Sequence, residues 1–241
     1  MAREGLGYVS MKTGYGQFCP VAVASEIFAE RWTPIILREL VLGSRKFNEI
    51  HRGVPRMSRA LLVKRLRKLI EAGVIASADG EYRLTPSGEE LGEVVVRLGE
   101  WGQRWTEPVL RANLDARLLM WDMRRRIALD RLPERRVVVR FDFRGVPPGR
   151  CPKVFWLVMT RAEVDLCIVE PGHEVDLFVD ADLAAFSRVW LGEVPIRQMI
   201  REGGIKLSGA RDAVREFPSW LLLSTLATVP RPEESIQRRV A

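Results

Sequence analysis

The sequence predicts an α+β protein assembled from two domains of unlike character, and three observations carry that prediction. The 241 residues are 47% hydrophobic and 29% charged, a globular composition with enough apolar side chains for two cores. Apolar residues recur at helical spacing through the first half, interrupted by one Asp-Gly turn, and from Arg136 the period switches to two. Charge is divided the same way: residues 1–110 hold 16 basic and 13 acidic side chains, residues 111–136 hold 8 and 4, and residues 137–241 hold 14 of each. The net charge of +7 therefore belongs to the first half and its connector, which points to an anionic partner for that part alone.

Residues 1–18, rich in glycine and polar side chains, read as a flexible arm. Pro20 suits the first turn of a helix, where a missing N–H costs nothing, and Val23 and Ile27 continue that helix to a break near Glu30. A second helix is expected over 33–42, with Thr33 as its cap, Pro34 in its first turn and Gly43 at its end. A short third helix covers 46–51. Gly53-Val54-Pro55 reads as a turn, because glycine frees the backbone and the residue before proline is pushed out of the helical region. Ser58 caps a longer helix ending at Gly73, with Leu61, Leu62, Leu66, Leu69 and Ile70 expected to face inward. Two short strands around Asp79-Gly80 form a hairpin. Pro86 opens a last helix with an apolar stripe of Leu91, Val94, Val95, Leu98, Trp101 and Trp105, stopping before Pro108.

One stretch of this half poses a question. Residues 44–68 hold nine lysines and arginines against one acid, Glu49, yet they also carry the apolar positions that must bury. Helix, helix, helix, turn, helix, hairpin, helix is the order of a winged helix-turn-helix. There the helix after the turn packs one face on its domain and lays the other in a major groove. The competing reading of the charge is a solvated helix face.

The run CPVAVASEIFAERWTPIILRELVLGSRKFNEIHRGVPRMSRALLVKRLRKLIEAGVI resembles the HxlR-type transcriptional regulators. Its matching points are Cys19-Pro20, Arg31-Trp32-Thr33, residues 36–40, Gly43, Phe47, Ile50, Ser58, Leu62, Arg65-Leu66, Leu69 and Ala72-Gly73, followed by Tyr82, Leu84-Thr85-Pro86 and Gly88. The resemblance spans about residues 17–107. It implies a homodimeric, sequence-specific binder of double-stranded DNA, dimerised through the 20–30 helix and the stripe of the last helix, the plainer reading of the stripe being packing within one subunit. By the same resemblance Ser58, Arg59, Val63 and Lys64 face the groove, while Arg45, Lys46 and Arg56 are the candidates for phosphate contacts. The wing tip Asp79-Gly80-Glu81 is acidic, and Arg83 is the one cation beside it. Cys19 stands at a helix start, where the backbone favours anions and thiols are activated. Several regulators of the type this region resembles use that cysteine for redox sensing, while the plainer reading is a small buried apolar residue.

Residues 109–136 read as a helical connector, with a helix over 114–127 turning Leu114, Leu118 and Trp121 inward, then the triplet Arg124-Arg125-Arg126. The triplet reads as a solvated helix end or as a contact to flanking DNA. Beyond it, Val137, Val139, Phe141 and Phe143 alternate with polar residues, a continuous apolar run follows at 154–159, and further alternating runs lie at 164–168 and 175–180. These predict a mostly antiparallel sheet covered on one face, followed by helices over 182–191 and 195–202, a short strand over 205–207 and a last helix carrying Phe217 and Trp220. This half is similar to the sterol-carrier-protein type-2-like domain at Gly172-His173, Asp182-Leu183, Trp190-Leu191-Gly192, Ile200, Gly203-Gly204-Ile205 and Leu207-Ser208-Gly209. That resemblance implies an apolar tunnel for a small apolar ligand. Trp156, Phe186, Trp190 and Met199 are candidates to line it, or are plain core. The expected boundaries are an arm at 1–18, the winged domain at 19–108, the connector at 109–136, the sterol-carrier-like domain at 137–228 and a tail at 229–241.

No catalytic motif is present: the two histidines, His51 and His173, lie in different halves, and no phosphate loop or nucleophile elbow occurs, so the chain is expected not to be an enzyme. Three cysteines without CxxC spacing give neither a disulfide scaffold nor a zinc site, and no cofactor or metal is expected. No apolar run approaches the roughly 18 residues of a membrane span, and the expected location is cytoplasmic, on the nucleoid. The alternative function is a lipid-binding carrier whose winged domain serves only protein contacts.

Overall fold

The computed structural model describes residues 14–106, 113–149 and 152–232. The arm before residue 14, connector residues 109–112, Cys151 and the tail from 233 lie outside the described residues. The chain divides into two compact units, one to Gly99 and one from Glu100.

In the first unit α1 (Pro20–Phe28) stops before the expected break, and α2 (Thr33–Val41) starts behind Trp32, whose left-handed backbone (φ 81°) turns the chain sharply between them. Then come α3 (Phe47–Gly53), α4 (Arg59–Glu71), β1 (Ile75–Ala78), β2 (Glu81–Leu84) and α5 (Pro86–Trp105), whose last residues, from Glu100, fall in the second unit. Ser58 caps α4 as expected, its Oγ accepting the Leu61 N–H at 3.3 Å. Leu62, Leu66 and Leu69 bury against Ile36, Leu37, Leu40 and Ile50 in one core. Ile70 departs from the expectation. It is exposed, because a further 100° beyond Leu69 carries it off the stripe that 62, 66 and 69 already fill.

β1 and β2 pair antiparallel from Ile75↔Leu84 to Ala78↔Glu81. Asp79 and Gly80, at φ 52° and 76°, make the left-handed two-residue turn that matches strand twist. The Tyr82 N–H donates to the Arg45 carbonyl at 2.8 Å, which fixes the wing to the segment leading into α3. A buried polar knot holds α2 to α3: Arg38 pairs with Glu39 at 2.8 Å, and the same guanidinium nitrogen donates to the Gly53 carbonyl at 2.8 Å.

The second unit contains α6 (Ala116–Arg124), a 3-10 turn at Leu129–Arg131, β3 (Val137–Arg144), β4 (Val154–Met159), β5 (Val164–Cys167), β6 (Leu177–Asp182), α7 (Leu183–Trp190), α8 (Ile196–Arg201), β7 (Ile205–Gly209) and α9 (Arg211–Trp220). Its sheet runs β5-β4-β3-β6-β7, with β3 and β6 parallel and the other pairs antiparallel. Val137, Val139, Phe141 and Phe143 share one core with Phe155, Leu157, Val179 and side chains of α6 to α9. The architecture is α+β, as predicted. The connector helix is shorter than expected, since Asp115 caps it by accepting from the N–H groups of Arg117 (3.0 Å) and Leu118 (3.3 Å). Its buried face is Ala116, Leu119, Met120, Trp121 and Met123, so Trp121 is buried as expected, as is Leu114 ahead of the helix, while Leu118 is only half-buried.

Candidate nucleic-acid interface

The turn between α3 and α4 is held from inside. The ring of His51 donates from Nε2 to the Met57 carbonyl at 3.0 Å, and the Met57 N–H donates to the Val54 carbonyl at 2.9 Å. Met57 and Val54 are buried, so α4 leaves the turn on a fixed base. Its outward side carries Arg59, Val63 and Arg67, at i, i+4 and i+8, with Lys64 beside them, all exposed. Arg56 and Lys46 are exposed at either end of α3.

The nine cations of residues 44–68 do not act as one set. Arg45 is half-buried and donates from Nη1 to the carbonyls of Leu40 (2.7 Å) and Ser44 (3.1 Å), so it caps the end of α2. Arg65 and Lys68 turn inward to Glu30 as ion pairs, Lys68 at 3.0 Å. Burial pushes the Arg65 guanidinium below its ordinary value. Arg59 reaches back to α3: its Nη1 donates to Asn48 Oδ1 at 3.0 Å, and its guanidinium carbon lies 5.6 Å from the Phe47 ring centre. Ser58 spends its hydroxyl on the cap. Arg83 pairs with Glu81 of its own strand at 2.5 Å. Arg45 and Arg83 line one open groove with Leu40, Val41, Leu84 and Val96. Sequence reasoning missed Arg67, although its spacing from Arg59 marked it. It also missed Glu30, whose partners stand 35 and 38 positions away.

Cys19 is half-exposed at the N-cap of α1, its carbonyl accepting the Val23 N–H at 3.1 Å. In the second unit Phe186, Trp190 and Met199 belong to the shared core, with Phe186 edge-on to Phe141 and Phe143 at 6.0 Å and Trp190 Nε1 donating to Asp122 at 2.7 Å. Trp156 stands apart from them. It pairs across the sheet with Arg140, on the face opposite Phe155 and Leu157, with that guanidinium 5.6 Å from its ring. The arginine triplet is half-buried and engaged within its unit. Arg124 and Arg125 lie over the Trp121 ring at 5.1 and 5.4 Å, and Arg126 donates to the Leu223 carbonyl at 2.9 Å. Among the described residues no helix is long and apolar enough to cross a membrane, and no group of three or more His, Cys, Asp or Glu could hold a metal ion.

This geometry is that of a helix-turn-helix with a short wing, and residues 27–110 match the HxlR-like helix-turn-helix family. YdeP of Bacillus subtilis, an uncharacterized HTH-type transcriptional regulator, is 30% identical over 98 residues, which are 38% of this chain and 77% of that protein. The chain belongs to the HxlR-like helix-turn-helix family, a family of DNA-binding transcriptional regulators. Rv3095 of Mycobacterium tuberculosis, another uncharacterized HTH-type regulator, is 40% identical over 94 residues, 35% of this chain and 58% of that protein. Among solved structures the chain is similar to quinone-bound YodB from Bacillus subtilis, with 28% identity, a TM-score of 0.32, and coverage of 35% of this chain and 96% of that one. It is also similar to the UbiJ-SCP2 ubiquinone synthesis protein, with 17% identity, a TM-score of 0.30, and coverage of 55% and 95%. The HxlR-like match ends at residue 110, so most of the second unit lies beyond it.

Proposed function

We propose that this HxlR-like protein is a homodimeric, sequence-specific transcriptional regulator, cytoplasmic and bound to the nucleoid, whose second unit takes a small apolar ligand. The observation that carries the DNA reading is α4: Leu62, Leu66 and Leu69 anchor one side, while Arg59, Lys64 and Arg67 stand exposed on the other. Lys46 and Arg56 extend that cationic side to the ends of α3 and serve as phosphate contacts, which set register without reading sequence. Arg59 and Val63 face the base edges. Arg45 and Arg83, with internal partners already, are lesser contributors. The exposed stripe of α5 supports a dimer: Val94, Leu98, Trp101 and Trp105 are 48%, 47%, 56% and 51% exposed in the single chain, a row of large apolar groups that a second copy would cover.

The ligand reading rests on the sterol-carrier-like motifs and on Phe186, Trp190 and Met199 sharing one apolar core. A ligand acts on DNA binding only through unequal affinity for two states of the dimer. Cys19, at a helix start and half-exposed, is the second candidate input, through thiol modification.

Selecting bound fragments from genomic DNA with purified protein, then following their affinity against salt, tests the regulator. A steep loss of affinity with added salt is expected, because released counterions set that slope. A flat profile with no enriched fragment refutes it and leaves the carrier reading. Native mass spectrometry of the purified protein tests the ligand, a retained apolar molecule being the expected result.

A further inference from the structure

We infer that Asn48 and Phe47 of α3 are positioning residues for Arg59, fixing which edge of its guanidinium meets the duplex. The inference rests on the reading of α4 as the DNA-facing helix and deepens it by assigning the source of its specificity.

An exposed arginine on a first helical turn samples many rotamers, and ordering it on binding weakens the contact it makes. Arg59 is exposed, but two contacts hold it. Asn48 Oδ1 accepts from its Nη1 at 3.0 Å, and its guanidinium carbon lies 5.6 Å from the centre of the Phe47 ring. The ring is itself fixed. Phe47 is half-buried against the first core and stacks on His51 at 6.3 Å and 6°, and His51 donates to the Met57 carbonyl immediately before the Ser58 cap. The support of Arg59 thus runs through the same turn that aims α4.

The consequence is directional. Nη1 is the guanidinium nitrogen on the Cδ side, and binding it to Asn48 leaves the opposite edge, where Nε–H and Nη2–H point in parallel. A parallel donor pair matches O6 and N7 of guanine in the major groove. Asn48 is exposed, so its bond to Arg59 adds little to folding, and losing it should register in base preference rather than stability.

The test uses the full chain and duplexes derived from its selected binding site, with affinity measured for all four bases at each position. Arg59→Ala locates the base pair that Arg59 reads. Asn48→Ala is expected to flatten preference at that same base pair by about 3- to 10-fold, the cost of ordering one rotamer-rich side chain, with affinity for random duplex and the salt slope unchanged. In an Arg59→Ala background, Asn48→Ala is expected to change nothing further. Asn48→Asp retains the acceptor, so it keeps the preference while its charge weakens all duplexes alike. Wild-type preference in Asn48→Ala, with Arg59→Ala flattened, overturns the positioning role and leaves the DNA reading intact. A uniform loss across sequences, or an effect that persists without Arg59, also overturns it, because Asn48 then touches DNA itself. If Arg59→Ala shows no base-specific loss, the reading of α4 fails and this inference with it.

Discussion

The carboxylate of Glu39 occupies the space into which a side chain at Gly53 would grow. Glu39 is fully buried, accepts from Arg38 at 2.8 Å and from the Ser44 hydroxyl at 3.2 Å, and lies beside the Gly53 carbonyl that Arg38 also holds. One knot therefore closes the end of α2 onto the end of α3, immediately before the turn that aims α4. Because the carboxylate is enclosed and bonded, it has no room to yield. Gly53→Ala is expected to lower the unfolding free energy of the first unit by about 1–3 kcal/mol, the usual cost of overpacking a filled site. Denaturant unfolding followed in that unit reads it, and an unchanged midpoint would show that the knot shifts freely.

Salt dependence separates the cations that face outward from those that brace the fold. Each phosphate contact adds roughly 0.9 to the slope of log affinity against log salt. Lys46→Ala and Arg56→Ala should each reduce the slope by about that much. Arg65→Ala and Lys68→Ala should leave it as it is, since both side chains are turned to Glu30. For Arg65 the loss should appear in stability instead, as its side chain is mostly buried. Equal slopes for all four variants would mean that the Glu30 pairs do not persist on DNA.

The contrast between these cations also marks the limit of what the sequence alone reveals. The order of helices, the Ser58 cap and the Asp79-Gly80 turn are local chemistry, legible from spacing and residue type, and the structure carries all three. Which arginine pairs inward is not local. Glu30 meets Arg65 and Lys68 only because α4 returns across the end of α1, and no spacing rule announces that. Trp156 was hidden differently. The run 154–159 is apolar throughout, so the alternation that puts Trp156 opposite Phe155 and Leu157 leaves no trace in polarity. The arginine triplet did leave a signal. Trp121, three and four residues ahead of Arg124 and Arg125, is placed by helical spacing to receive both guanidinium groups.

Cys167 should be a slow thiol. Burial, and after it the neighbouring Asp165 carboxylate, push its thiol above the ordinary range. The thiolate is the reactive form, so at pH 8 alkylation of Cys167 is expected to run several-fold slower in the native protein than in the same chain unfolded in urea. The linkage has a definite sign. The folded state favours the neutral thiol, so its contribution to stability is fully present below the unfolded value, roughly 8.5, and is lost as pH rises through the higher folded value. Peptide-resolved mass spectrometry after timed iodoacetamide treatment measures the rates. If Cys19 is the sensor, a protonated Cys167 would attack its oxidised form slowly. Equal native and unfolded rates would remove both the shift and that argument.

On α5, Val94, Leu98, Trp101 and Trp105 follow one another at spacings of four, three and four, one face of a helix, and each is about half exposed. Val95, one step away, is buried in the first core, so the helix already has an inward face of its own and the stripe is a second one. A charge placed in the middle of that second face should therefore spare the subunit and strike its association. Leu98→Glu is expected to shift the protein from dimer to monomer at micromolar concentration, while the thermal transition of the first unit stays near that of wild type. Binding to a two-fold site should then fall towards the affinity of a single half-site, because the second contact is no longer delivered at high effective concentration. Sedimentation velocity and titration on one-half and two-half duplexes read both effects. A Leu98→Glu protein that remains dimeric would place the interface elsewhere, and one that unfolds would mean the stripe belongs to the subunit's own packing.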